Sequence, residues 1–167
     1  MKDVVQIAAG ETAFRRNAVL LQVGVVTAGL LLITLSVNLE VPLYGAYAQA
    51  AGYGSGSTAV VFAAYVAGLL PVLFLLGGIS DWIGRKKAMV LGLLVALTAT
   101  GSVIVSPSMN ALFAARILQG IGVGLSLGAG TAYLSEILGV PARAASYAGI
   151  ATTVGLGSGP LITSGSP

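Results

Sequence analysis

The sequence predicts an all-α integral membrane protein, and three observations lead to this fold class. Hydrophobic residues make up 56% of the 167 residues, and the mean hydropathy is +0.97. Only 8% of the residues are charged, whereas a soluble domain carries about 25%. The few charges collect in short segments between long charge-free runs, as expected where a chain leaves hydrocarbon for water. We therefore expect a bundle of membrane-spanning helices.

Composition also disfavours several kinds of site. The sequence has no histidine and no cysteine, so it cannot form a disulfide and lacks the usual ligands of zinc, haem and iron–sulfur clusters. It has no glycine-rich phosphate loop with its lysine, which argues against a built-in ATPase. We expect no cofactor, no metal site and no enzymatic activity. The net charge of +3 is explained by cations beside apolar spans, so no nucleic-acid partner is expected.

Charge-free run length predicts five spans, because both faces of a membrane helix are apolar and periodicity is uninformative. Residues 1–17 are predicted to form a polar cytoplasmic N-terminus, and residues 18–167 a transmembrane bundle. A cleaved signal peptide is the alternative for the first span, since residues 46–48 resemble a cleavage site. The first apolar run is longer than the roughly 7–15 residues of a signal sequence, which disfavours cleavage. The predicted spans are 18–39, 58–78, 88–105, 110–134 and 144–164.

The segments between the predicted spans contain residues that end helices or form turns. Glu40 and Pro42 end the first span, and a segment rich in glycine, tyrosine and serine follows at residues 44–57. Pro71 predicts a kink in the second span. Residues 106–108, Ser-Pro-Ser, predict a tight turn before the fourth span.

The cations predict the orientation of the chain. With five spans, the cations of residues 1–17, of residues 85–87 and at Arg143 all fall on one side, and the opposite loops hold only Glu40. By the positive-inside rule the N-terminus is cytoplasmic and Pro167 lies outside. We expect a multi-pass protein of the plasma (inner) membrane. An odd number of spans predicts that the chain is part of a larger bundle.

Three motifs lie on or beside successive spans. The first, residues 77–87 (Gly-x-x-x-Asp-x-x-Gly-Arg-Lys-Lys), follows the second span. The second, residues 116–122 (Arg-Ile-Leu-Gln-Gly-Ile-Gly), lies early in the fourth span, and the third, residues 155–160 (Gly-x-x-x-Gly-Pro), lies in the fifth. In this order they resemble three signature motifs of the major facilitator superfamily of secondary transporters. The third motif is associated with exporter or antiporter branches of that family.

The resemblance implies a major facilitator-type helix bundle containing five of the six helices of the N-terminal half. It implies a secondary active transporter that moves a small solute by alternating access, similar to bacterial drug or metabolite exporters. A proton-coupled exporter is one form that such a transporter takes. Implied partners are the solute, the proton, the lipid bilayer and the C-terminal helices of the same transporter. The acid that drug exporters often carry in the first helix is missing, and Ile33 and Thr34 occupy that region. The alternative is a non-transporting membrane scaffold or accessory subunit that keeps the half-bundle.

The loop at residues 77–87 has residue types suited to a latch. Gly77 and Gly84 permit a tight turn, and Asp81 can face the positive N-terminus of a neighbouring helix. Arg85 can pair with Glu136 at the end of the fourth span, and the resemblance implies that this network latches the outward-facing state. The alternative is that the cations only anchor the topology. The predicted latch residues are Gly77, Asp81, Gly84, Arg85, Lys86, Lys87 and Glu136, and Trp82 stands where the family usually has a basic residue.

Arg116 lies within the fourth span, where a cation costs roughly 2.5–3.5 kcal/mol at the bilayer centre and therefore needs protein or water around it. The resemblance implies that it lies near the central cavity and influences coupling or substrate binding. The alternative is that its side chain extends to the outer interface. Polar residues of the first span are further candidates. The predicted coupling or cavity residues are Arg116, Gln119, Gly120, Asn38, Thr34 and Gln22.

Glycines at every fourth residue of the fourth span predict close helix packing. In the fifth span, two glycines and a following proline predict a bendable contact, for which the resemblance implies gating. The predicted packing or gating residues are Gly124, Gly128, Gly155, Gly159 and Pro160.

Overall fold

The computed structural model describes residues 2–39, 52, 54, 56–75, 78–106 and 108–163. The surroundings of the side chains are described from residue 12 to residue 157, except at positions 39, 57, 58 and 79 and in the gaps between these ranges. Glu40, Pro42, Gly77, Pro107 and most of the predicted loop at residues 44–57 lie outside the described residues.

The described residues form six α-helices and no strand, so the all-α prediction is confirmed for this part of the chain. The helices are α1 (Lys2–Leu39), α2 (Gly56–Leu75), α3 (Ile79–Ile83), α4 (Arg85–Val105), α5 (Met109–Leu138) and α6 (Pro141–Thr163).

The helices differ from the predicted spans at their ends. α1 begins at Lys2, so residues 2–17 of the predicted polar segment are helical and continuous with the first predicted span. α5 continues to Leu138, beyond the predicted end at residue 134. The five-residue helix α3 was not predicted. Hydropathy marks the part of a helix that suits hydrocarbon, whereas backbone hydrogen bonding continues through polar turns on either side.

Three helices are long and apolar enough to cross a membrane within the described residues. They contain Thr12–Asn38, Arg85–Val105 and Met109–Leu138. Ala59–Leu75 in α2 is a shorter apolar segment. The second and fifth predicted spans therefore stay predictions, as does the kink at Pro71, which lies inside α2.

Local chemistry determines where the central helices begin and end. The Ser108 hydroxyl accepts a hydrogen bond from the Ala111 N–H at 3.2 Å, which satisfies a free donor at the start of α5. α5 ends at Gly139, whose φ of 63° is the left-handed conformation that glycine adopts at low cost. Gly84, with φ of 91°, separates α3 from α4.

α5 is the central helix of the bundle. It packs against α4, α2, α6 and α1, while α1 and α6 also pack against each other. Small residues permit this close packing: a Cβ added to Gly92 in α4 would lie 2.5 Å from the carbonyl oxygen of Gly122 in α5. Without a side chain at either position, the two backbones approach closely and gain dispersion contacts.

The buried apolar residues form three clusters. The first joins α1, α4, α5 and α6, the second joins α2, α4 and α5, and the third joins α1, α4 and α5. Their buried members are Val23, Val26, Leu30, Ala88, Met89, Ala129, Leu134, Ala144, Ala148 and Ala151; Val61, Ala99, Val103, Leu112 and Ala115; and Ile33, Val37, Ala96 and Val123.

Candidate functional site

Arg85 connects three helices at one end of the bundle. From the first turn of α4, its Nη2 lies 3.1 Å from Oδ1 of Asp81 in α3. Its Nε lies 2.9 Å from Oε1 of Glu136, in the last turn of α5. The predicted pairing of Arg85 with Glu136 is therefore present, while the latch role of the network stays a prediction.

The local fold explains why these three side chains meet. Gly84 turns the chain between α3 and α4, which leaves Asp81 and Arg85 four residues apart on adjoining helices. α5 runs antiparallel to α4, so its last turn returns to the start of α4. Asp81 was expected to face the N-terminus of a neighbouring helix, but its ion pair is with the Arg85 side chain.

The network is partly open to its surroundings. The Arg85 side chain is 26% exposed, whereas those of Asp81 and Glu136 are 60% and 55% exposed. Exposed ion pairs contribute about 0–1 kcal/mol each, because both groups are well solvated when separated. The contacts therefore fix a geometry at low energetic cost and can be broken easily.

Lys86 and Lys87 do not join this network. Both are exposed, and no ion pair links either of them to a carboxylate among the described residues. Their predicted place in the latch stays untested.

Arg116 is the most deeply buried cation among the described residues. Its side chain is 2% exposed, and both Nη1 and Nη2 donate to the carbonyl oxygen of Val37 at 3.3 Å. Val37 lies in the last turn of α1, where carbonyl groups have no partner within the helix and a cation also interacts favourably with the helix dipole. The guanidinium therefore lies inside the protein rather than extending to an exposed interface.

Two other polar residues of α5 bond to α4. Gln119 is fully buried, and its Nε2 donates to the Thr100 Oγ1 at 2.9 Å. The buried Ser126 hydroxyl donates to the Met89 carbonyl oxygen at 3.3 Å. Arg116, Gln119 and Ser126 are thus enclosed between helices of the described bundle. The role predicted for Arg116 and Gln119 in coupling or at a cavity stays a prediction.

The polar residues of α1 mainly bond to their own helix. Thr34 is buried, and its hydroxyl donates to the carbonyl oxygens of Leu30 and Leu31 at 2.9 and 3.0 Å. Asn38 Nδ2 donates to the Thr34 carbonyl oxygen at 2.8 Å, and Gln22 is exposed. Their predicted cavity role stays untested.

The predicted glycine stripe of α5 contacts α2 over only part of its length. A Cβ on Gly120 would lie 2.8 Å from the Leu69 backbone nitrogen, and one on Gly124 would lie 2.9 Å from Val72 Cγ1. Among the described residues, a Cβ on Gly128 would meet nothing within 4 Å, so the packing role predicted for Gly128 stays untested. At about 100° per residue, each four-residue step turns about 40° beyond a full circle, which carries Gly128 off the contact.

The third motif is described only in part. Gly155 is buried between α6 and α1, where an added Cβ would lie 2.9 Å from Thr34 Cβ. Gly159 and Pro160 belong to α6, but their surroundings lie outside what the structure describes.

Sequence reasoning missed the partners of the buried polar residues. The carbonyl groups of Val37 and Met89 have no signal in the sequence, because every residue carries one. Thr100 had a weak signal, as a polar residue inside an apolar span, but threonine often satisfies its hydroxyl within its own helix.

Comparison with known proteins agrees with this helical arrangement. The sequence profile of the Major Facilitator Superfamily matches residues 15–165. The chain is 38% identical over 81 residues to "Probable polyol transporter 4" of Arabidopsis thaliana, a match covering 46% of this chain and 15% of that protein. It is 33% identical over 60 residues to "Monosaccharide-sensing protein 2" of the same plant, covering 36% and 8% respectively. No solved structure matches.

These matches span less than a fifth of the length of either relative. The profile match, by contrast, extends over nearly all of this chain and includes all three motifs. Membership of a superfamily of transporters also indicates that the chain is a multi-pass membrane protein and not an enzyme. The chain belongs to the Major Facilitator Superfamily.

Proposed function

We propose that this chain forms the N-terminal part of a secondary transporter that moves a small polar solute across the plasma membrane, with its N-terminus in the cytoplasm. The observation that carries the proposal is the contact of Arg85 with both Asp81 and Glu136, which joins α3, α4 and α5 at the end expected to be cytoplasmic. Family membership supports it.

A polyol or a monosaccharide is the solute class that we propose. The names of the two relatives support this class. The Gly-x-x-x-Gly-Pro motif of α6 supports export or antiport instead, so direction needs a measurement of its own. Polyols and sugars are uncharged and bind through hydrogen bonds, which suits a chain with few buried charges.

In the proposed mechanism, alternating access breaks and reforms the Arg85 network in each cycle. A latch with this role must be weak, because a strong contact would trap one state. Two partly exposed ion pairs of about 0–1 kcal/mol each meet that requirement. The network holds the ends of α3, α4 and α5 together in one state and releases them in the other.

Proton coupling, if the transporter uses it, does not run through ionisation of Arg116. A guanidinium stays protonated at all physiological pH values, so it cannot accept and release the transported proton. Arg116 acts instead by holding the end of α1 against α5 through the Val37 carbonyl.

The second candidate function is solute sensing without transport, as a membrane scaffold or accessory subunit. The name of the second relative, a monosaccharide-sensing protein, favours it. The two functions share a binding step and differ in whether the solute appears on the other side of the membrane.

Transport by the complete protein in sealed vesicles tests the proposal. Vesicles are loaded with buffer, supplied with radiolabelled sorbitol or glucose outside, and assayed with and without a proton gradient. We expect accumulation above that of protein-free vesicles, and a loss of rate in Arg85→Gln that Arg85→Lys partly restores. Binding of the labelled solute without accumulation under either condition would contradict transport and support sensing.

A further inference from the structure

The outward surface of α4 carries two lysines next to a strip of apolar side chains. Lys86 and Lys87 are followed by Val90, Leu91 and Leu94, at the three- and four-residue spacing of one helix face. With Ile83 these residues line an open groove of about 510 Å³. We refer to these six residues as the lysine groove.

The charge of the lysine groove is not neutralised within the described part of the chain. Asp81 and Glu136, the carboxylates whose side chains the structure describes at this end of the bundle, are both engaged by Arg85. Neither Lys86 nor Lys87 takes part in an ion pair there. Two adjacent ammonium groups without a carboxylate partner create a positive potential that favours an anion.

The rest of the groove is suited to hydrocarbon. Val90, Leu91 and Leu94 are 47%, 46% and 52% exposed, and they lie on a helix that is long and apolar enough to cross a membrane. Lys87 and Leu94 are separated by about 10 Å along the helix axis at 1.5 Å per residue. The positive charge and the apolar strip are thus ordered like the headgroup and acyl chain of a lipid.

Trp82 marks the level at which this surface meets the membrane interface. Its side chain is 95% exposed, the highest value among the large exposed apolar residues of the described chain. Tryptophan is enriched at membrane–water interfaces, and Trp82 lies in α3, the short helix directly before α4. Lys86 and Lys87 lie in the first turn of α4, four and five residues after Trp82, so we expect them within reach of lipid phosphate groups.

We propose that the lysine groove binds an anionic phospholipid, with the phosphate against Lys86 and Lys87 and an acyl chain along Val90, Leu91 and Leu94. The proposal rests on the cytoplasmic placement of this end in the proposed function, because anionic lipids are concentrated in the cytoplasmic leaflet. A helix packed here would bury both lysines and would need to bring carboxylates to them. An anionic lipid satisfies the charge and the apolar strip together.

Quenching of tryptophan fluorescence by brominated lipids tests this proposal. Trp82 is the sole tryptophan of these 167 residues, and subtracting the signal of Trp82→Phe isolates it in the complete protein. The protein is placed in phosphatidylcholine vesicles containing phosphatidylglycerol as a minor component, with bromine on one lipid or the other. We expect phosphatidylglycerol to be enriched at Trp82 by about 5-fold per lysine at low salt, and less at high salt.

Matched variants identify the lysines as the cause. Lys86→Gln with Lys87→Gln is expected to abolish the enrichment, whereas Lys86→Arg with Lys87→Arg keeps both the charge and the enrichment. Arg15→Gln with Arg16→Gln removes the same charge from α1 and should leave the enrichment unchanged.

Four results would overturn the proposal. They are equal quenching by the two lipids, enrichment that survives in the double glutamine variant, competition by inorganic phosphate, and no quenching by either lipid. The last would mean that another helix or a second copy covers Trp82. Transport is measured in the same vesicles, so a protein that fails to transport but keeps its lipid preference contradicts the proposed function alone.

Discussion

Arg116 is a buried cation that bonds to the backbone of another helix. Its two terminal nitrogens bond to one backbone carbonyl, that of Val37. The cation and the helix end thus satisfy each other, and the contact links the C-terminal end of α1 to the first third of α5.

Replacing Arg116 with alanine is expected to reduce both stability and transport. It leaves the buried Val37 carbonyl without these two donors, which costs about 1–3 kcal/mol, and it removes a side chain that fills the interior. Thermal unfolding of the purified full protein, followed by labelled-solute uptake, measures both effects. Arg116→Lys should recover part of the stability, because an ammonium can donate one of the two hydrogen bonds. Unchanged melting in the alanine variant would contradict the capping role.

The Arg85 network leads to the opposite expectation, a small effect on stability with a larger one on transport. Glu136→Gln removes one charge from a pair whose side chains are 26% and 55% exposed, so the free energy of unfolding should change by less than about 1 kcal/mol. The transport rate should change severalfold if the contact holds one conformation. A double-mutant cycle with Arg85→Gln separates the pair from its members. Additive effects on transport would argue against the latch.

At the residue scale, the sequence predicted the Arg85–Glu136 contact but not the partner of Arg116. Arg85 lies at the start of one predicted span and Glu136 at the end of the next. Because consecutive spans are antiparallel, these two opposite charges are expected at the same membrane face, where they can pair. The carbonyl group that Arg116 bonds to belongs to Val37, 79 residues earlier in the chain, and which carbonyl it meets depends on how far α1 and α5 are offset along the bundle. The lengths of the charge-free runs, from which the spans were predicted, do not determine that offset.

At the scale of helices, the approach of α2 to α5 depends on glycine. Gly120→Ala would place a methyl group against the backbone of Tyr65 and Leu69, so α2 must move away at a cost of about 1–3 kcal/mol. Gly128→Ala, two turns along the same helix, meets open space and should be neutral or stabilising by up to about 1 kcal/mol. The melting temperatures of the two variants, each compared with that of the unaltered protein, test this difference. Equal destabilisation would show that the helix backbone, not the contact, is responsible.

The contact between α1 and α6 permits a second matched comparison. Gly155→Ala would bring a methyl group against Thr34 and should lower thermal stability or slow transport. Gly149→Ala lies in the same helix with nothing within 4 Å of the added Cβ and should do neither. A transport defect in Gly155→Ala at unchanged melting temperature would favour the gating role over packing. Indistinguishable behaviour of the two variants would contradict both roles.

The helix contacts also explain which elements sequence reasoning could place. The helices α4 and α5 begin and end within about four residues of the third and fourth predicted spans, because charges and a Ser-Pro-Ser turn bound these segments in the sequence. α3 was not predicted, since five residues between two glycines provide too little pattern for any periodicity. The glycine stripe contacts α2 at Gly120 and Gly124 but not at Gly128, because a four-residue repeat drifts around a helix and does not say where a neighbouring helix ends.

At the scale of the whole molecule, the contacts indicate that α4 and α5 cross the membrane in opposite directions. The Arg85–Glu136 pair places the start of α4 and the end of α5 at one face. α4 has 21 residues and so extends about 30 Å, the thickness of the hydrocarbon core. Ser108, between α4 and α5, must then lie at the opposite face, and Arg143 at the start of α6 must return to the first.

Single cysteines can test this arrangement in the complete protein. These 167 residues contain no cysteine, and any cysteine elsewhere in the full protein would be replaced first. We expect a membrane-impermeant thiol reagent to label Lys87→Cys and Arg143→Cys only from the cytoplasmic side, and Ser108→Cys only from the other. Labelling in detergent verifies that each thiol is reactive. Because Lys87 lies at the start of α4 and Ser108 lies just beyond its other end, labelling of both from the same side would contradict α4 as a membrane span. If Lys87→Cys and Arg143→Cys are labelled only from the outside, the helix arrangement still holds and only the proposed orientation is reversed.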